Sequence, residues 1–250
     1  MDIMPFLIVC PLVFLAGFVD AIAGGGGLIS LPAYMIAGIP IHHAIGTNKL
    51  SSATGTLVST IRYVKQNHMD LVIGIPSILV ALIGSACGAN LALITSAAFL
   101  KGILIIVLPI VAFYILRSNR KEKESKCILS RKAAIAVAIV VAFFIGMYDG
   151  FYGPGTGTLL LLFYTGILKM DTLTASGNVK LVNLASNVAA LATYLINGKV
   201  LLVLGLTASI FSIAGHYVGS GMVLKNGSKI VKPVILVVLA LLFIKVVSEW

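Results

Sequence analysis

The sequence predicts an all-α polytopic membrane protein built from two inverted repeats of about five helical segments each. Hydrophobic residues make up 59% of the 250 residues and charged residues only 10%, whereas a soluble domain carries about a quarter charged residues. The charge-poor stretches are long enough to cross a bilayer, which takes roughly 20 residues each. A glycine-rich motif and a lysine that follows it also occur once in each half, which indicates an internal duplication.

Ten helical segments follow from the hydrophobic pattern, five in each half. They are 5–23, 28–38, 43–65, 71–95 and 98–116, then 133–151, 157–168, 173–196, 200–223 and 229–247. The second segment of each half has only about eleven residues, too short to span at 1.5 Å per residue. We therefore expect the first two segments of each half to form a helix, a break and a short returning helix. The two breaks are predicted to meet at mid-membrane.

The polar stretch 117–132 is the predicted linker between a first repeat, 1–116, and a second repeat, 133–250. It contains seven basic and two acidic residues, and short basic loops remain cytoplasmic. Three crossings on either side then place both termini outside and invert the repeats relative to each other. The N-terminal stretch lacks a basic region, so no cleaved signal peptide is expected. The net charge of +10 is thus read as a topology signal and not as a nucleic-acid surface.

Two constant shifts along the sequence align the duplicated motifs of the two halves. A shift of 129 superimposes Gly17, Asp20, Gly24 and Gly26 on Gly146, Asp149, Gly153 and Gly155. A shift of 131 superimposes Lys49, Leu50 and Tyr63 on Lys180, Leu181 and Tyr194. Duplicated broken helices in a membrane protein are typical of transporters, with the substrate site between the halves.

The glycine-rich breaks are the first candidate site. Each glycine costs a helix about 1 kcal/mol relative to alanine, and a broken membrane helix needs partners for its freed backbone groups. The N-termini of the short helices would then direct free N–H groups at mid-membrane, which favours an anion. The candidate positions are Gly26, Gly27, Leu28, Gly155, Thr156, Gly157 and Thr158. The alternative is a tight helix crossing, where glycine lets backbones touch.

The membrane-embedded charges are the second candidate site. Lys49, Lys180, Asp20 and Asp149 all fall within predicted membrane segments, where an ionisable residue is functional by default. One interpretation pairs the aspartate and lysine of each half as a structural ion pair. The other has at least one lysine facing the substrate and at least one carboxylate carrying a coupling proton. The residues leave both open.

Amide side chains near the lysines complete the candidate set. Asn48, Asn178 and Asn183 can donate to an oxyanion, although amides also link membrane helices. His216 is predicted to be a helix–helix contact. The three cysteines are scattered and give no metal spacing. We expect no cofactor, and the predicted partners are a small anionic substrate and the lipid bilayer.

The motifs resemble a known family. GFVDAIAGGGGLISLP with GTNKLSS, and SGNVKLVNLASN in the second copy, are similar to the sulfite exporter TauE/SafE family, also called toluene sulfonate uptake permeases. The resemblance covers essentially the whole chain. It implies a transporter of sulfite, thiosulfate, sulfoacetate or other organosulfonates in a bacterial or archaeal plasma membrane. Pro154 and Thr156 interrupt the glycine run of the second copy, so exact symmetry of the site is not expected.

Two other functions fit parts of the sequence. A passive anion channel also uses helix N-termini and basic rings. An intramembrane aspartyl protease needs two membrane-embedded carboxylates, but its glycine-x-glycine-aspartate element is missing because Thr158 follows Gly157. The sequence contains no ATP-binding element, so an alternating-access transporter driven by a gradient, with possible proton coupling, is the preferred prediction.

Overall fold

The computed structural model describes residues 3–100, 102 and 129–226. Within them the protein is all-helical, which confirms the predicted fold class. The helices are α1 (Met4–Ala23), α2 (Gly27–Ile36), α3 (Ile41–Lys65), α4 (Leu71–Ile94), α5 (Arg131–Phe151), α6 (Thr156–Gly166), α7 (Thr172–Ile196) and α8 (Leu202–Asn226). Most of the predicted segment 98–116, residues 117–128 of the linker and the whole segment 229–247 lie outside the described residues.

Five of these helices, α1, α4, α5, α7 and α8, are long and apolar enough to cross a membrane. Helix α3 is as long as α7, at 25 residues, but is richer in polar residues. Helix α5 begins at Arg131, two residues before the predicted start, because the Ser130 hydroxyl accepts a hydrogen bond from the Ala133 N–H (3.3 Å) and caps the helix.

Both predicted helix breaks are present. Helix α1 ends where Gly24 adopts a left-handed conformation, with φ at +77°, and α5 ends before Gly153, with φ at +97°. The short helices α2 and α6 have 10 and 11 residues, which is about half of a bilayer core at 1.5 Å per residue.

The helices pack in a pattern that repeats when the two halves are exchanged. Helix α1 packs on α8 as α5 packs on α4, and α3 packs on α8 as α7 packs on α4, while α3 and α7 pack on each other. The glycines at the crossings follow the same exchange. Gly84 of α4 lies against the backbone of Phe143, and Gly215 of α8 lies against the backbone of Phe14. Gly84 and Gly215 are 131 residues apart, and Phe14 and Phe143 are 129 residues apart, which are the two shifts of the duplicated motifs.

The loops lie at the two ends of the helix bundle, and side-chain contacts join them at each end. At one end, Arg131 forms two short contacts with the carboxylate of Asp70 (2.7 and 2.8 Å), and the Asp70 N–H donates to Asn178 (3.1 Å). At the other end, His42 contacts the Ala92 carbonyl oxygen (3.1 Å). The first end carries most of the basic residues in the described part of the chain, namely Arg62, Lys65, Arg131, Lys132, Lys169 and Lys225.

Candidate functional site

The two helix breaks contact each other directly. The Thr158 N–H donates to the Gly24 carbonyl (3.1 Å), and the Thr158 hydroxyl donates to the Ala23 carbonyl (2.9 Å). A Cβ added to Gly157 would lie 2.6 Å from the Cα of Gly24, so glycine is required where the breaks cross. The prediction that the two breaks lie close together is confirmed.

The backbone N–H groups that are free at the two breaks are not the ones that the sequence predicts. The N–H groups of Leu28 and Thr158 are not free, because they donate to Gly25 and Gly24 (both 3.1 Å). The N–H groups of Gly27 and Gly157, one residue earlier in each short helix, have no acceptor among the described residues. The N–H groups of these two glycines are therefore among those available to a ligand.

Lys180 reaches Asp20 across the interface between the halves. Its Nζ lies 2.7 Å from Asp20 Oδ2 and also donates to the Asp20 backbone carbonyl. The other carboxylate oxygen accepts from the Gly26 N–H (3.1 Å), so the first break helps to hold this carboxylate. The Nε2 atom of His216 lies 3.8 Å from Asp20 Oδ2.

Lys49 makes the reciprocal contact with Asp149. The two charged groups are 2.8 Å apart, and their side chains are 2% and 3% exposed. The Ser186 hydroxyl donates to the same carboxylate oxygen (2.7 Å). The interpretation that pairs the aspartate and lysine of the same half is therefore wrong, because both pairs join one half to the other. The reason is that α3 and α7 pack on each other, which brings each lysine to the aspartate of the opposite half.

A cavity lies between the two pairs. Its walls include Asp20, Lys49, Asp149, His216, Asn48, Asn183, Asn187, Ser30, Ser51, Ser52, Ser212 and six glycines, among them Gly27 and Gly157. Its volume is about 30 Å³, measured as the space open to the centres of water molecules, and one water needs roughly 10–15 Å³ on that measure. This conformation therefore has room for only a few waters or a small ion.

The amides in the cavity wall have unused hydrogen-bonding capacity. Oδ1 of Asn48 is buried and has no partner among the described residues. Asn187 donates to Oδ1 of Asn183 (3.1 Å), and the Nδ2 group of Asn183 is the part of this amide that can donate to an anion. Buried polar groups without partners are uncommon in proteins, and these two amides are suited to a polar ligand or water.

Several predicted site residues line the cavity and others do not. Lys49, Asn48, Asn183, Gly26, Gly27, Thr156, Gly157, Asp20 and Asp149 line it. Lys180 lies behind Asp20, while Leu28, Gly155 and Thr158 are not part of the wall. Asn178 lies away from the cavity, where it accepts from the N–H of Asp70. Two residues along a helix rotate a side chain by about 200°, which separates Asn178 from Lys180.

His216 is a helix–helix contact, as predicted, because its Nδ1 lies 2.8 Å from the Ser59 hydroxyl, and it also lines the cavity. Ser186, which donates to Asp149, is not among the predicted site residues. A shift of 131, already visible at the lysines, superimposes His216 on Ser85 and Ser186 on Gly55. The duplication extends along α3 and α7 and into α4 and α8, and the halves differ at these two positions, next to the repeated pattern of charges.

The formal charges around the cavity balance. Two lysines face two aspartates at contact distance, and nearly all of this charge is buried. Removing one partner of a buried ion pair costs about 3–5 kcal/mol because the other charge is left unpaired. The pairs therefore constrain how α1, α3, α5 and α7 can move.

The helices, the breaks and the buried charges define a multi-pass membrane protein. The chain matches the family described as Sulfite exporter TauE/SafE over residues 9–246. It is 36% identical over 237 residues to a probable membrane transporter protein, ORF9, of Sinorhizobium sp, covering 94% of this chain and 90% of that protein. It is 32% identical over 235 residues to the probable membrane transporter protein YfcA of Escherichia coli strain K12, covering 94% and 87%.

A probable membrane transporter protein of Haemophilus influenzae is also 32% identical, over 237 residues, covering 94% of this chain and 92% of that protein. No solved structure matches the chain. The chain therefore belongs to the sulfite exporter TauE/SafE family of membrane transporters, as its motifs predict. Membership makes it a transporter and not an enzyme, which removes the intramembrane protease as an alternative.

Proposed function

We propose that the protein is a secondary transporter of small anions, most favourably sulfite, thiosulfate, sulfoacetate or related organosulfonates, by alternating access. The observation that carries the proposal is the cavity at the crossing of the two helix breaks. It presents Lys49, the amides of Asn48 and Asn183, and the backbone N–H groups of Gly27 and Gly157. The oxygens of a sulfur oxyanion are arranged as a tetrahedron or a pyramid around the sulfur, and they need several hydrogen-bond donors and a positive charge nearby. In membrane transporters, helix N-termini supply both the donors and the partial positive charge.

Charge balance supports coupling to protons. Without a ligand, two lysines and two aspartates give a net formal charge of zero. An anion that enters alone makes the buried site negative, which is costly in a medium of low dielectric constant. A proton that enters with a singly charged anion restores the balance, and with a dianion such as thiosulfate it offsets half of the added charge. The direction of transport depends on the gradients and does not alter this argument.

Alternating access has a structural basis in the duplication. We propose that residues 1–116 and 133–250 are inverted repeats joined by a cytoplasmic linker, 117–132, in a plasma membrane, with both termini outside. The exchange of equivalent helix contacts supports the two repeats. The basic residues gathered at one end of the bundle support its cytoplasmic placement. Two packings related by the repeat symmetry would open the cavity to opposite sides.

Transport is tested with the purified protein in liposomes. Uptake of radiolabelled sulfite, thiosulfate and sulfoacetate is measured with and without an imposed pH gradient, with chloride and acetate as control anions. We expect saturable uptake of at least one sulfur compound, faster in the direction in which protons flow. Lys49→Gln removes the charge and is expected to abolish this uptake, while Lys132→Gln at the end of the bundle is the matched control.

A passive anion channel is the competing function. It predicts flux that does not saturate, follows the membrane potential and is indifferent to the pH gradient. Saturable uptake with counterflow, in which unlabelled substrate inside accelerates entry of labelled substrate, separates a transporter from a channel. Liposomes without saturable uptake of any of the three sulfur compounds would contradict the proposal.

A further inference from the structure

The two ion pairs differ in the third residue that contacts each carboxylate. Ser186 donates to Asp149 (2.7 Å), and Ser85 in turn donates to the Ser186 carbonyl (2.5 Å). At the equivalent positions in the other half stand Gly55 and His216. The hydroxyls of Ser186 and Ser85 cannot change their charge near neutral pH. In the other half an imidazole, which can, stands near the carboxylate instead.

The packing around His216 is built to hold an imidazole ring. A Cβ on Gly17 would lie 3.0 Å from Cδ2 of His216, and a Cβ on Gly55 would lie 3.0 Å from its Nε2. Any side chain at either glycine would push the ring away from the cavity. Nδ1 is held by the Ser59 hydroxyl (2.8 Å), so Nε2 is the nitrogen that faces Asp20 and the cavity.

The charged surroundings favour a proton on this nitrogen only when an anion is present. From α1, Asp20 faces His216 at 3.8 Å. From α3, the facing group is the uncharged Ser59, and from α7, Lys180 binds the same Asp20 oxygen (2.7 Å). Lys49 and Asp149 line the same cavity. Asp20 already balances Lys180, so a charged His216 makes the site positive by one, which an anion in the cavity offsets.

We propose that His216 takes up the proton that accompanies the transported anion, and that Asp20 positions it. This inference rests on the proposed function and assigns the coupling site within it. The proton comes from water and binds Nε2 without breaking the Lys180–Asp20 pair. Protonation of Asp20 or Asp149 would instead leave a lysine without its counterion. The Lys49–Asp149–Ser186 group keeps its charge and serves anion binding alone.

The test measures proton uptake when thiosulfate, which stays fully ionised near neutral pH, binds to purified protein in nanodiscs, with a pH-indicator dye at low buffer strength. Sulfite, which itself takes up a proton near neutral pH, serves only as a second ligand to establish binding. We expect about one proton per bound anion, so that the apparent Kd weakens about tenfold for each unit of rising pH. In His216→Gln, which keeps a hydrogen bond to Ser59, the Kd is expected to change less than about twofold per unit. Ser186→Ala is the matched control in the other half and should retain the full dependence.

A second measurement does not need a variant at His216. Protein labelled with ¹⁵N-histidine, with His42, His43 and His68 replaced by Gln, has His216 as its only histidine. Addition of saturating anion is expected to move its ¹⁵N signals to imidazolium values. Unchanged neutral signals, or unaltered proton uptake by His216→Gln, would overturn the assignment while leaving anion transport intact. Wild-type protein that binds neither anion would end both this inference and the proposed function.

Discussion

The two carboxylates at the helix breaks occupy equivalent positions and yet are held differently. Asp149 is 3% exposed and receives Lys49 and a serine hydroxyl. Asp20 is 15% exposed and receives Lys180, the Gly26 N–H and a nearby imidazole. The duplication therefore preserved the ion pair and changed its surroundings, and we infer that the added partners divide anion binding from proton coupling.

The largest expected effect is on thermal stability, and it tests whether each lysine is paired with the aspartate of the opposite half or of its own half. Lys49→Met with Asp149→Leu removes one complete pair. Lys49→Met with Asp20→Leu also removes one charge of each sign, but it leaves Asp149 and Lys180 unpaired. Each unpaired buried charge costs about 3–5 kcal/mol, so the second double variant should unfold at a much lower temperature. Size-exclusion chromatography after heating measures the difference.

The same variants separate structure from binding. The Lys49→Met, Asp149→Leu protein should remain folded and still fail to bind sulfite, because Lys49 supplies charge to the cavity. Recovery of binding in this variant would make Lys49 a structural residue only, and equal stability of the two double variants would contradict the pairing between halves.

The next largest expected effect is a loss of transport when a side chain is added where the two breaks cross. Gly157→Ala places a Cβ 2.6 Å from the Cα of Gly24, and such overpacking against backbone costs about 1–3 kcal/mol. Gly38→Ala controls for lost stability alone: alanine is strained at its φ of +80°, but nothing lies within 4 Å of the added Cβ. A loss of transport in Gly157→Ala with near-normal uptake in Gly38→Ala is expected. The reverse result would show that the breaks move apart without cost.

The sequence predicts the breaks, the short helices and the buried charges because glycine clusters and charged residues stand out in an apolar chain. It could not predict which lysine meets which aspartate, since that depends on α3 packing on α7. The role of Asn178 was missed for a related reason. A polar helix offers several faces, and only the neighbouring helices decide that Asn178 meets the loop at Asp70 while Asn183 meets the cavity.

A smaller effect is expected at Ser186, which contributes one hydrogen bond to a charged group. Ser186→Ala should lower the free energy of unfolding by roughly 1.5 kcal/mol, because Lys49 still balances Asp149. Anion affinity should fall with it, since Asp149 becomes freer to compete with the anion for Lys49. Denaturation monitored by thiol labelling of the buried Cys10 can follow stability. An unchanged anion affinity would separate Ser186 from the binding group.

The smallest effect is expected at Ser59, the serine that holds the imidazole. Ser59→Ala removes a neutral hydrogen bond (2.8 Å), worth about 1 kcal/mol. An acceptor at Nδ1 helps an imidazolium more than a neutral ring, so its loss should move the pH midpoint of anion binding downward by about 0.7 unit, at 1.36 kcal/mol per unit. Ser186→Ala, by contrast, should change the affinity and leave this midpoint in place. A midpoint that shifts equally in both variants would mean that the proton is shared across the whole cavity, and the division between the two carboxylates would then be lost.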